Sequence, residues 1–332
     1  MINNAILHIL DFNSGVTVFS EKELEIGNEV VNSFLSKHIE RALLDANLKS
    51  GTFSNNSSFK NKIANLLTDK TSFIEISTAI SQEVLNIISN SDIQNGIDIM
   101  ICTFSIDDSV FFGIWLFSNK VAFTHQVGKE KAKIKNDIIK HCAILPSPSQ
   151  KTDSLAIIDL KSFDVKFSDK KRMVDGKDCL ILPELILNCS VGISPSDVKK
   201  IVSSVALDVA EKHGYNTAIT VSKAKNYLLE NSEVSDWLES SDLGREIFSD
   251  SKSVQNEFSN KMKSQGVADN IRLDRNIISK SSKTHKIKTD TGIEISVPVE
   301  YFQNRDYIDF FNNPDGTISI ELKNIGKIIN KY

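Results

Sequence analysis

Residues 128–135 read GKEKAKIK, which places Lys129, Lys131, Lys133 and Lys135 at every second position. That spacing matches the two-residue period of an extended strand. A strand here would carry all four ammonium groups on one face and set Glu130, Ala132 and Ile134 on the other. The chemistry on offer is electrostatic: such a ribbon can neutralise successive phosphates of nucleic acid and release their counterions. On a helix the same lysines would spread around more than half the circumference and the handle would dissolve. Gly128 before them and KHCAILPSPS after them favour the extended form. A second role stays open, because lysines along a sheet edge also discourage edge-to-edge pairing between molecules.

Two further basic groupings stand out. Lys280, Lys283, Lys286 and Lys288 occur with no acid among them until Asp290, and Lys170, Lys171 and Arg172 sit in SDKKRMVDGKD among Asp169, Asp175 and Asp178. The third grouping reads as a hairpin tip. If the first two share one surface they offer up to eight positive charges. Binding of that kind would be largely independent of sequence, since phosphate contacts carry no base identity. No helix-turn-helix, zinc finger or aromatic platform for single strands is legible.

Catalytic and cofactor patterns are not found. The glycine-rich turns of P-loops and dinucleotide folds do not occur, and neither do HExxH or GxSxG. The six histidines, His8, His38, His125, His141, His213 and His285, are scattered. Cys102, Cys142, Cys179 and Cys189 form no CxxC pair and read as small apolar residues of a reducing compartment rather than zinc ligands. Asp107 and Asp108 read as turn formers. No catalytic residue, metal site or cofactor is therefore expected. A metal-dependent nuclease built from carboxylates distant in sequence remains an alternative.

The chain of 332 residues carries a net charge of −4, spread as −3 over residues 1–190, −2 over 191–279 and +1 over 280–332. Any attraction to phosphate must come from local patches. Residues 230–250 set seven acids against Arg245. A solvated face accounts for that balance, and a docking site for a basic protein is the alternative, which would make the chain an adaptor. No apolar run reaches the roughly 18–20 residues needed to span a bilayer, and MINNAILHILDFNSG lacks a secretory pattern. A soluble cytoplasmic protein without membrane contact is expected.

The elements that must position these residues follow from period and punctuation. Residues 3–10 and 15–19 read as a hairpin around Asn13-Ser14-Gly15. Ser20 and Glu23 read as a capping box opening a helix whose stripe is Val30, Val31, Phe34, Leu35, Ile39, Leu43 and Leu44. Helices are expected at about 58–68 and 72–90. GIDIMICTFSI, SVFFGIWLF and KVAFTHQV read as an antiparallel meander, with further strands at 154–160 and 163–167. Ser194, Pro195 and Gly214 bracket a helix, and helices at 217–230 and 251–265 follow. After the linker at 279–284, two hairpins turn at Asp290-Thr291-Gly292 and Asn313-Pro314-Asp315-Gly316, with Ile318, Ile320 and Leu322 on a buried face. The fold class is α+β: an antiparallel-sheet N-terminal domain with packed helices (1–190), a helical middle section (191–278) and a small C-terminal β module (279–332).

AILHILD, FSEKELEI, ILPSPSQKTDSLAIIDL, ISPSDVKKIV and GIEISVPVEYF…IDFFNNPDGTISIELKNI occur in that order along nearly the whole chain. In this order and length the sequence resembles the bacterial 37-kDa nucleoid-associated protein family. The resemblance implies residence with the nucleoid in the cytoplasm and DNA as the partner. It carries over no catalytic residue. A homodimer would join two modest basic patches on one duplex through effective concentration.

Overall fold

The computed structural model describes residues 1–12, 15–68, 72–91, 96–130, 133–235, 237–272, 284–302, 304, 306–315 and 317–327. They divide into two compact units, Met1–Leu43 with Leu48–Gly192, and Leu44–Asn47 with Ile193–Tyr332. The fold is α+β, as the element pattern predicts.

The first unit contains β1 (Ile2–Asp11), β2 (Val16–Val18), α1 (Glu29–Leu43), β3 (Lys49–Gly51), α2 (Ser58–Ala64), α3 (Phe73–Ile88), β4 (Ile97–Ile106) and β5 (Ser109–Ser118). It continues through β6 (Lys120–Glu130), β7 (Lys133–Ile144), β8 (Ser154–Asp159), β9 (Val165–Ser168), β10 (Lys171–Val174) and β11 (Lys177–Leu180). Among the described residues, seven strands form one antiparallel sheet in the order β2-β1-β4-β5-β8-β9-β3. Its two faces have separate cores. Met100, Cys102, Phe104, Trp115 and Phe117 pack with Leu35, Ile39 and Ala42 of α1. Ile97, Ile99, Ile101, Ile114 and Leu116 pack with Phe59 and Ile63 of α2 and Ile76, Ile80 and Val84 of α3. With helices on both sides, β4 is buried from Ile97 to Phe104 and reads as a continuous apolar run rather than an alternation.

The helix starts show how tertiary contacts select among local signals. The Ser72–Glu75 capping box forms and opens α3. The Ser20–Glu23 pair does not open a helix. Ser20 donates its hydroxyl to Leu7 O and its backbone N–H to His8 Nδ1, and Glu23 accepts from Asn4 Nδ2 at 3.0 Å. α1 begins nine residues after Ser20, at Glu29, with the Asn28 carboxamide oxygen accepting from Val30 N at 2.9 Å. The expected α1 stripe is accordingly narrower: Leu35 and Ile39 are buried, whereas Val30 is 78% and Leu44 48% exposed.

Asp98 on β4 lies opposite Ile9 and Phe117 and is 5% exposed. Burial, reinforced by the Asp11 carboxylate, pushes its carboxyl up to about 6. A folded-state value above the unfolded one gives stability that is full at low pH and lost as pH rises through about 6. His8 acts in the opposite sense. It is buried between Ser20 N and Ser77 Oγ, its imidazole is pushed down to about 4, and its contribution is lost as pH falls toward that value. Asp98→Asn should therefore raise the unfolding free energy from urea titration at pH above 7, by on the order of 1–3 kcal/mol, and change it little near pH 4. Equal shifts at both pH values would remove the ionised carboxylate as the cause.

In the second unit, α4 (Pro195–His213), α5 (Thr217–Val234), α6 (Ser240–Ile247) and α7 (Lys252–Ser264) enclose a core of Val202, Val205, Val209, Leu228, Leu243, Phe248, Phe258 and Met262. Ser194 caps α4, Pro195 occupies its first turn, and Gly214 closes it at φ 73°, a left-handed position that costs glycine little. β12 (Trp237–Glu239) pairs with β13 (Asn270–Arg272). Two hairpins follow: β14 (Thr284–Lys288) with β15 (Glu294–Pro298), and β16 (Ile308–Asn312) with β17 (Ile318–Leu322). Ile287, Ile295, Val297, Phe302, Ile308, Phe310 and Ile320 form their small core. Ile318 and Leu322 are each 47% exposed, so of the expected buried face only Ile320 packs inward.

Candidate nucleic-acid interface

β6 does not become the third strand of a meander. β8 takes the free edge of β5, and β6 pairs instead with β7 as a separate two-stranded ribbon. Glu130 and Lys133 are partners, so the chain reverses direction inside the lysine run. The expectation of four lysines on one face of one strand is thereby corrected. Lys129 lies on β6 opposite Ile134, and Lys133 and Lys135 lie on β7 opposite Glu130 and Gly128. Partners across an antiparallel pair share a face. Lys133 and Lys135 therefore share one face of the ribbon and Lys129 belongs to the other, while Lys131 lies outside the described residues.

The register sorts the remaining side chains. One face carries Ala122, Thr124, Gln126 and Gly128 on β6, with Lys133, Lys135, Asp137, Ile139 and His141 on β7. It is polar or small apart from the half-buried Ala122 and Ile139, and Lys135 meets Asp137 at 3.1 Å. The other carries Phe123, His125, Val127 and Lys129 with Ile134, Asn136, Ile138 and Lys140. Lys120 at the base donates to Gln150 Oε1 at 2.7 Å. Residues 120–144 hold six lysines against Glu130 and Asp137, four net positive charges in a chain of net −4. The ribbon is thus where the positive charge concentrates. Lys120 and Lys140 escaped the sequence reading because the alternating run alone drew attention. The reversal escaped it because no Asn-Gly or Asp-Gly dipeptide, the mark of a two-residue hairpin, occurs between Glu130 and Lys133.

In the second grouping, Lys286 and Lys288 alternate on β14 and are exposed, with Ile287 packed inward between them. Lys288 meets Glu294 across the hairpin at 3.2 Å, and Lys280 and Lys283 lie outside the described residues. In the third, Lys170 is bound to Asp153 at 2.7 Å and Lys171 is exposed. Arg172 is half-buried, and its Nε has no hydrogen-bond partner among the described residues. These three residues stand at the base of the β10–β11 hairpin, whose tip is Asp175-Gly176.

Of the cysteines, Cys102 is fully buried and burial raises its thiol, and Cys189 is half-buried and pushed up to about 11. The Cys142 side chain lies outside the described set. Among the described residues, no group of three or more His, Cys, Asp or Glu is placed to hold a metal ion. No helix among them is long and apolar enough to cross a membrane. In the acidic stretch, Glu230, Glu239, Glu246 and Asp250 are exposed, and so are Val234 and Trp237, at 81% and 55%.

Fold and surface together define an α+β protein that concentrates its positive charge on an exposed β-ribbon, the surface character of a protein that works beside polyanions. The family model for nucleoid-associated protein YejK matches residues 6–330, and the chain belongs to that family. No curated protein matches it.

Proposed function

We infer that this chain is a DNA-binding protein of the nucleoid, resident in the cytoplasm, that contacts duplex DNA largely without sequence specificity through the β6–β7 ribbon. The observation that carries this reading is the ribbon's four net positive charges against a chain at −4. A strand of 11 residues extends on the order of 35 Å, close to the roughly 34 Å of one turn of B-DNA. A two-stranded ribbon also fits the width of the major groove. Lys133 and Lys135, with Thr124 and Gln126 beside them, form a phosphate-facing surface, and Lys286 and Lys288 are a second candidate contact. Lys280, Lys283, Lys170, Lys171 and Arg172 complete the candidate set. The reading requires no cofactor and no catalytic step.

Duplex affinity measured over a series of salt concentrations tests it. The log of the binding constant should fall with log salt at about −0.9 per phosphate engaged, with similar values for unrelated duplex sequences. A flat salt dependence, or affinity confined to one sequence, would sink the reading.

A second reading is favoured by Val234 and Trp237 standing exposed within the acidic stretch 230–250: a docking surface for a basic protein partner, which makes the chain an adaptor. Proteins retained on the native chain from nuclease-treated lysate, and lost from Trp237→Ala, would favour it. Retention that disappears with the DNA would count against it.

A further inference from the structure

The ribbon's two faces differ in kind, and the proposed phosphate contact places Lys133 and Lys135 on the polar one. On the other, Phe123 is 71% exposed, Val127 65%, Ile134 73% and Ile138 81%. Phe123, Val127, Ile134 and Ile138 fall on one side of the register, and Val121, 54% exposed, lies at the irregularity at its base. On a free surface this is costly. The four side chains on the face expose on the order of 500 Å² per ribbon, within the range of the largest apolar patches on monomeric proteins.

We propose that this face is a self-association surface, on which a second copy of the chain lays the same face of its own ribbon. Two facing ribbons would remove about 1,000 Å² from water, the level a specific interface should clear. The charges favour a second copy too. The described side chains on this face include no carboxylate, so the face does not call for a basic partner; its ammonium groups are Lys129 toward the tip and Lys140 toward the base. In a two-fold stack of oppositely directed ribbons, β6 lies over β6 and β7 over β7. Lys129 then comes over the second copy's Phe123, and Lys140 over its Ile134. No two ammonium groups oppose each other, and each lysine stem covers an apolar side chain while its head reaches solvent. Ile138 and Val127 occupy the middle, where water is excluded best. The stack leaves Lys133 and Lys135 pointing outward on both sides, so a dimer presents two phosphate-facing surfaces back to back.

The test is made on the full chain without DNA, so that its failure is distinguishable from failure of the DNA reading. Sedimentation across a dilution series should show a monomer–dimer equilibrium. Phe123→Lys with Ile138→Lys should weaken it by roughly 30-fold or more, the scale of a central hot spot. Phe123→Ser with Ile134→Ser, which removes apolar area without adding charge, should weaken it in the same direction. Thr124→Lys with Gln126→Lys puts the same charge on the polar face and should leave the equilibrium intact. All these side chains are in solvent on the single chain, so unfolding curves taken at dilutions where the native chain is monomeric should match. A native chain that stays monomeric throughout overturns the proposal. So does a dimer that survives the apolar-face changes, or one that the polar-face control disrupts equally.

Discussion

Changing Lys129, Lys131, Lys133 and Lys135 together to glutamine should cut duplex affinity by roughly 100-fold near physiological salt and lower the salt slope by about 2–3. Glutamine keeps much of the side-chain length and β-strand tolerance, so the change isolates charge. The register adds a finer expectation. Lys133 and Lys135 share the polar face, whereas Lys129 lies opposite Ile134 on the apolar one. Lys133→Gln with Lys135→Gln should therefore account for most of the loss in slope, and Lys129→Gln for little of it. Titration of a labelled duplex at several salt concentrations measures both quantities. An unchanged slope in the fourfold variant would take the ribbon out of DNA binding, whatever the affinity of the rest of the chain.

The second large effect concerns the fold. Gly113→Ala should destabilise the first unit by on the order of 2–4 kcal/mol, a large share of the total stability of about 5–15 kcal/mol for a typical domain. Elsewhere in a strand the same change usually stabilises, because glycine loses more freedom on folding. Here the sign reverses for a geometric reason. Gly113 lies in β5 between Cys102 of β4 and Ile157 of β8, and the indole of Trp115 folds over it. An added Cβ would stand 2.3 Å from Trp115 Cζ3 and 2.7 Å from its Cη2. Trp115 is fully buried with Met100, Cys102 and Phe117 around it, so the ring has nowhere to retreat. Urea unfolding measures the loss. Gly113→Ala in a Trp115→Leu background should cost much less than in the native chain, since coupling between contacting residues appears as non-additivity. A neutral or stabilising Gly113→Ala would show that the ring relaxes freely.

How far the sequence could be read depended on whether a signal was local. The Ser72–Glu75 box, the entry at Ser194-Pro195 and the exit at Gly214 are satisfied within one helical turn, and the last two appear where their residues predict. The Asp290–Gly292 turn also closes locally, through Thr289 N to Ile293 O at 2.9 Å, with Gly292 at φ 89°. Ser20 and Glu23 carry the same capping chemistry, yet their hydrogen bonds go to Leu7 and Asn4 on β1. A polar group takes the partner that the fold brings to it, and a distant strand leaves no trace in the neighbouring residues. The Ile318–Ile320–Leu322 alternation was legible as a shared face. How much of it would be covered was not, because that depends on Phe302, Ile308 and Phe310 arriving from elsewhere.

By itself the sequence determined the α+β class, the main helices, the two C-terminal hairpins and the family, because hydrophobic period, caps and motif order are properties of short segments. It also located the basic residues. Only the tertiary structure decided which of them act together. The competition for β5's free edge went to β8, which sent β6 out to pair with β7 and reversed the chain between Glu130 and Lys133. Facing in a strand is set by parity from the point of reversal, so a turn within a run of alternating residues reassigns every side chain beyond it. The β6–β7 pairing therefore separated Lys129 from Lys133 and Lys135, and gathered Phe123, Val127, Ile134 and Ile138 on the opposite face.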